Sequence, residues 1–136
     1  MTAAAVTIRA VVLEGIVTHA RERAPGECCG LLLGTSSAVV ESVRTRNVAS
    51  DPSRFLIDPV DHINGRRDAR TRGLDVVGFY HSHPRSAASP SATDRAEASY
   101  AGHLYLITGL ATDPPDVRVF RFDGTEFVEQ TFARVP

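Results

Sequence analysis

One stretch constrains this chain more than any other: Gly78 to Asp94, which reads GFYHSHPRSAASPSATD. Leading into it, Leu74, Val76, Val77, Phe79 and Tyr80 are apolar and partly β-branched, so they predict a buried strand whose pairing must stop at Pro84. On a strand, residues i and i+2 share a face. His81 and His83 therefore present two imidazoles on one side of the strand end, while Ser82 faces the other way. Pro90 and the run from Ser91 to Asp94 then read as a helix start, with Ala96, Ala98 and Ala101 continuing as helix formers. Ser91 and Asp94 fall on one side of the first turn. Two histidines and a carboxylate suit a zinc ion and leave its fourth tetrahedral position to water, as a catalytic rather than a closed structural site requires. Ser91-x-x-Asp94 also spells a capping box, so a purely structural role is open to the same two residues.

Upstream, Val6 to Ile8 reads as a short strand, and Val11, Val12, Leu13, Ile16, Val17 and Ala20 recur at helical spacing up to Arg23. His19 is placed on or near the polar side of that helix, as a surface residue. Pro25 and Gly26 stop the helix, and Cys28 to Leu33 is a run short and apolar enough for a buried strand. Glu27 stands at its mouth, where a carboxylate can reach a cleft as a general base while its neighbours pack. Ala38 to Val48 reads as a half-exposed strand returning in a hairpin, Asn47 to Arg54 as loop, and Phe55 to Ile57 as a short strand. Asp58 and Pro59 then cap a helix through about Arg72 that holds Arg66, Arg67, Arg70 and Arg72, read as a solvated face. His103 to Ile107 and Val117 to Phe122 read as strands, Leu110 to Asp116 as loop, and Thr125 to Phe132 as a last strand after the Asp123-Gly124 turn. His103 is taken as a strand-end residue rather than a ligand. These elements predict an α/β fold, a single domain over residues 1–136 with a mixed sheet flanked by helices.

Composition narrows the function classes. The chain has 136 residues, 43% of them hydrophobic, enough for a real core. Its 15 basic and 16 acidic residues nearly cancel, which argues against nucleic-acid binding through a basic field. The opening MTAAAVTIRAVV is soon interrupted by charge and supports neither a leader nor a membrane span, so a cytoplasmic protein is expected. The two cysteines, Cys28 and Cys29, are adjacent and expected to be reduced, on opposite faces of a strand, as small buried residues of which one lies nearer the site. Every basic residue is arginine, so the chain cannot itself be tagged on a lysine.

The run His81-Ser82-His83-Pro84, six residues, Ser91, two residues, Asp94 resembles the motif of the JAMM (MPN-plus) zinc metalloproteases at every position. The segment from Ala24 to Gly34, with Glu27 ahead of the Cys-Gly pair, is similar to the first-strand signature of their small bacterial members, and Glu27 matches the catalytic glutamate. The resemblance implies a cytidine-deaminase-like α/β core, one zinc ion held by His81, His83 and Asp94 with a bound water, Glu27 as general base and Ser91 as the donor that stabilises the oxyanion. It implies hydrolysis of a peptide or isopeptide bond after the C-terminal Gly-Gly of a ubiquitin-like or sulfur-carrier protein, including a carrier-cysteine amide of cysteine biosynthesis. Asp94 to His103 leaves room for one short helix and no long insertion, which disfavours polyubiquitin. The carrier's tail is expected to add to the edge strand beside the Asn47 to Arg54 loop. The alternatives are a non-catalytic MPN-like scaffold, whose members commonly lack ligands that this chain has, and a RadC-like protein, which usually carries Asn where Ser82 stands.

Overall fold

The computed structural model describes residues 5–136; residues 1–4, where the segment read as neither leader nor membrane span begins, lie outside them. Strand β1 (Val6–Arg9) runs into helix α1 (Ala10–Arg23), and β2 (Cys29–Thr35) and β3 (Ala38–Thr45) form a hairpin. Helix α2 (Pro59–Thr71), β4 (Asp75–His83), helix α3 (Ala92–Glu97), β5 (Leu104–Gly109), β6 (Asp116–Phe122), β7 (Phe127–Gln130) and β8 (Phe132–Val135) follow. The strands make one mixed sheet in the order β7-β6-β5-β4-β2-β3-β1-β8. Pairs β4/β5, β1/β3 and β1/β8 are parallel and the others antiparallel.

The helices lie on opposite faces because successive strand residues point opposite ways. Val12, Leu13, Ile16 and Ala20 of α1 pack with Leu32, Tyr80 and Leu106 on one face. Ala69 of α2 packs with Leu31, Leu33, Phe79 and Tyr105 on the other. Helix α2 approaches closely because of Gly65, where a Cβ would sit 2.3 Å from Leu31 Cδ1. Its start is set as the sequence reads: the Asp58 carboxylate accepts from Asp61 N–H and Pro59 opens the helix. Among the described residues no helix is long and apolar enough to cross a membrane.

Several expectations are corrected. His19 is not on the polar side of α1: it is 2% exposed, because it follows Val12, Leu13 and Ile16 on the inward stripe, while Val11 is 56% exposed. Phe55 to Ile57 is not a strand; a single antiparallel bridge joins Asn47 and Ile57, too short to propagate between the Arg54 turn and Pro59. Strand β3 ends at Thr45 rather than Val48, and α3 ends at Glu97 instead of continuing through Ala101. The last strand is two strands. Residues 127–130 pair with β6, Thr131 interrupts, and 132–135 join β1 at the opposite end of the sheet order. Val6 N–H donates to the Thr131 carbonyl at this bend, so the sheet curls until one segment links its two edges, leaving less open edge than a flat sheet.

Candidate metal centre

Strand β4 lies between β2 and β5, and from Val76 to His83 every residue is buried. Phe79, His81 and His83 face α2, whereas Tyr80 and Ser82 face α1. The Ser82 hydroxyl accepts from Cys28 N–H at 2.9 Å and so ties the start of β2, next to Glu27, to the end of β4. Helix α3 brings the third group. Its capping box is real: Ser91 Oγ accepts from Asp94 N–H at 3.0 Å, and Asp94 Oδ2 accepts from Ser91 N–H at 2.9 Å. The capping role read from sequence is thus present, and the same box aims the Asp94 carboxylate at the two imidazoles. Asp94 Oδ2 lies 3.1 Å from both His81 Nε2 and His83 Nε2, which are 3.3 Å apart.

These three atoms fit a divalent cation. His83 Nδ1 donates to the Ala87 carbonyl at 2.8 Å, so a neutral His83 carries a bare lone pair on Nε2, aimed at a carboxylate oxygen. An acceptor facing an acceptor needs a shared proton or a cation between them. His81, Nε2 in the same cluster, has its Nδ1 buried without any partner. Burial lowers the pKa of His81. Burial would also lower His83, but the Asp94 carboxylate and the Ala87 carbonyl outweigh it and raise the pKa. Burial pushes Asp94 up, yet the two imidazoles and Ser91 N–H hold its carboxyl well below the usual carboxylate range.

Glu27 opens onto the same place. It shares a cleft of about 640 Å³ with His83, Ser91, Arg85, Pro52 and Pro84. Its Oε1 is buried without a hydrogen-bond partner. Burial raises its pKa to about 7, with Asp94 and Asp51 adding to the rise and His83 opposing it. A second cleft of about 350 Å³ opens on the other side of the cluster, reached by His81 and Asp94 and walled by Phe55, Phe79, Tyr100 and Tyr105. The cluster thus stands between a cleft rich in serine and proline and an aromatic one.

Two residues of the site escape sequence reading. Phe55 stacks on His81 with ring centroids 4.2 Å apart and planes 19° apart, covering the imidazole from the loop side. Asn47 donates to the carbonyls of Glu27 and Arg54, both at 3.0 Å, and accepts from Ala49 and Leu56 N–H, while Glu27 N–H donates to the Pro52 carbonyl. The loop therefore clamps the backbone that carries Glu27. The only available signal for Asn47 is its side chain's capacity for four such bonds in a turn-rich segment. His103 stacks on Phe79, 5.7 Å between centroids, and lies outside the His81, His83 and Asp94 group. Cys28 and Cys29 are both free and buried, and burial pushes each thiol up to about 11. Cys29 sits opposite His81 on β2, with its thiol bonded to Thr45 Oγ1, and Cys28 packs on the α1 face.

Comparison with known proteins agrees with this geometry. The family of prokaryotic homologs of the JAB domain matches residues 9–123. A desampylase of Haloferax volcanii is 39% identical, over 98% of this chain and 99% of the relative. A CysO-cysteine peptidase of Mycobacterium tuberculosis is 30% identical, over 86% of this chain and 83% of the relative. A protein from Desulfitobacterium hafniense, solved in solution, superposes with a TM-score of 0.87 at 29% identity, covering 96% of this chain and 92% of that one. With His81, His83 and Asp94 in one cluster and the family matched over residues 9–123, the chain belongs to the prokaryotic JAB-domain family, the JAMM-type zinc metalloproteases.

Proposed function

We propose that this protein, acting as one domain, hydrolyses the amide or isopeptide bond after the C-terminal Gly-Gly of a ubiquitin-like sulfur carrier. The observation that carries the reading is the meeting of two imidazole Nε2 atoms and a carboxylate oxygen beside a buried carboxylate with an unpartnered oxygen. His81 and His83 through Nε2, and Asp94 through Oδ2, would hold zinc. Zinc bound there supplies a Lewis acid that brings the pKa of water toward ~7 and polarises a carbonyl. Glu27, with its pKa near 7, takes a proton from the attacking water and returns it to the departing nitrogen. Ser91 Oγ accepts from Asp94 N–H, which leaves its hydroxyl proton free to donate to an oxyanion. Phe55 and Ala87 hold the two imidazoles in place.

The position of Glu27 orients the substrate. The group that protonates the leaving nitrogen lines the serine and proline cleft, so the amine side belongs there. The acyl side, the carrier's tail, then enters the aromatic cleft between Phe55 and Tyr100. Its backbone would run beside residues 55–57, which are bridged on one side only, instead of beside β7 or β8, the ends of the sheet order. The name of one relative, a CysO-cysteine peptidase, supports cysteine as the amine, and the isopeptide alternative is the side chain of a lysine. The aliphatic stem of a lysine suits walls formed by Pro25, Pro52 and Pro84.

The test is mass spectrometry of Gly-Gly-ended carriers linked either to cysteine or to a lysine side chain, with zinc-loaded protein and a chelator control. Chelator-sensitive cleavage of either is expected, and the preferred substrate names the amine. Zinc binding without cleavage of either would remove the carrier reading.

A further inference from the structure

The three arginines of α2 and Arg72, which caps its C-terminal end, do not share one role. Arg66 Nε donates to His62 Nε2 at 2.8 Å, and its guanidinium carbon lies 5.5 Å from the Tyr100 ring centroid. Arg72 is held by Glu41 at 2.7 Å and Asp68 at 3.0 Å. Arg67 and Arg70 are exposed and make no ion pair among the described residues. Positions 60, 63, 67 and 70 recur at the spacing of one helix face. The first two are Val60 and Ile63, 57% and 53% exposed, and Leu56 beside them is 56% exposed. Most other large apolar side chains are inside, so a patch that combines these three with two unpaired cations is a candidate recognition surface.

The patch continues the aromatic cleft. Leu56, Pro59 and His62 line that cleft, and Val60 and Ile63 are the next residues on the outer side of the same helix. From Val60 to Arg70 the stripe runs about 15 Å at 1.5 Å per residue, apolar at the cleft and cationic away from it. With a net charge of −1, the chain has no general basic field, so the cations act locally.

We propose that the Leu56, Val60, Ile63, Arg67 and Arg70 surface docks the folded body of the carrier, through an apolar patch flanked by carboxylates, while the tail fills the cleft. This rests on the substrate reading above. An extended tail fits the cleft and has no need of a convex helix face, whereas a folded body must rest on the surface beside the cleft mouth. A second copy of the chain would set the stripe against itself and leave both arginines without carboxylates. Charge placement then governs encounter rate and register, and the apolar residues supply the contact.

The experiment compares two substrates of the zinc-loaded protein: the folded carrier that it cleaves, and a synthetic peptide of that carrier's last residues bearing the same leaving group. Arg67→Glu with Arg70→Glu, and separately Val60→Asp with Ile63→Asp, should each lower kcat/KM for the folded carrier roughly tenfold through KM, with cleavage of the peptide unchanged. Arg67→Lys with Arg70→Lys should restore most of the first loss. Equal effects on both substrates, or none on the folded carrier, would overturn the docking surface. So would a wild-type dimer that Val60→Asp with Ile63→Asp dissociates in sedimentation. Wild-type protein that cleaves neither substrate removes the carrier reading beneath the proposal, an outcome separate from intact peptide cleavage with indifferent surface variants.

Discussion

Two buried histidine groups lie on opposite faces of strand β4. On the α1 face, His19 Nδ1 and Tyr80 OH are 2.8 Å apart, and both side chains are almost fully buried. A hydroxyl and a neutral imidazole offer one donor for one acceptor, so the pair is complete. On the α2 face, the bare Nε2 of a neutral His83 faces Asp94 Oδ2, an acceptor against an acceptor, with His81 Nε2 at the same point and a glutamate oxygen beside them that has no partner. Burial lowers the pKa of His19 to about 4, helped by Arg44 and Arg23, and keeps it a neutral packing residue. Burial of a histidine is therefore a poor sign of chemistry. A surplus of lone pairs aimed at one point is a good one.

The largest effects should separate the two groups completely. His81→Ala or Asp94→Ala should abolish zinc binding in a metal titration, and cleavage with it, because two remaining ligands cannot hold a tetrahedral site. Glu27→Gln comes next: it should keep zinc and lose roughly 10³-fold in kcat, within the usual range for a general base. Wild-type rates in Glu27→Gln would remove the proposed base. On the other face, Tyr80→Phe leaves buried His19 Nδ1 unpaired and should cost about 1–3 kcal/mol in denaturant unfolding while zinc affinity and kcat stay put. A loss of zinc in Tyr80→Phe would mean that the two faces are coupled through β4.

The smallest effects are pH slopes of opposite sign, read in chelator-treated protein. The His19 pKa is depressed to about 4, so its stabilising contribution is complete above 6.5 and lost as pH falls through 4. His19→Gln should flatten that slope. The Glu27 pKa is raised to about 7, so its contribution is complete below 4.5 and lost as pH rises through 7. Metal-free Glu27→Gln should therefore gain melting temperature over wild type across that rise. Parallel pH curves for Glu27→Gln and wild type would show that Glu27 is not buried as described.

Much of the site was legible because its parts are local in sequence. His81 and His83 meet through the two-residue period of a strand, and Ser91 with Asp94 through one helical turn. The polarity of His19 reads as surface, although its spacing after Val12 and Ile16 puts it inward; a buried polar residue is identified by its partner, and Tyr80 is far away in sequence. Phe55 and Asn47 stayed hidden for the same reason, since stacking on His81 and holding the Glu27 carbonyl are contacts between distant segments.

The amino-acid order by itself determined which side chains cluster at the strand end and helix start, their spacing, the α/β class and the capping box that aims Asp94, because each depends on residues within a turn or a strand of one another. Only the tertiary structure decided that Glu27 reaches the cluster, that two clefts of different chemistry meet there, and that residues 127–135 bend at Thr131 to join both ends of the sheet order. Those outcomes depend on which distant segments pack together, and burial and hydrogen-bond pairing summed over the whole sheet select them.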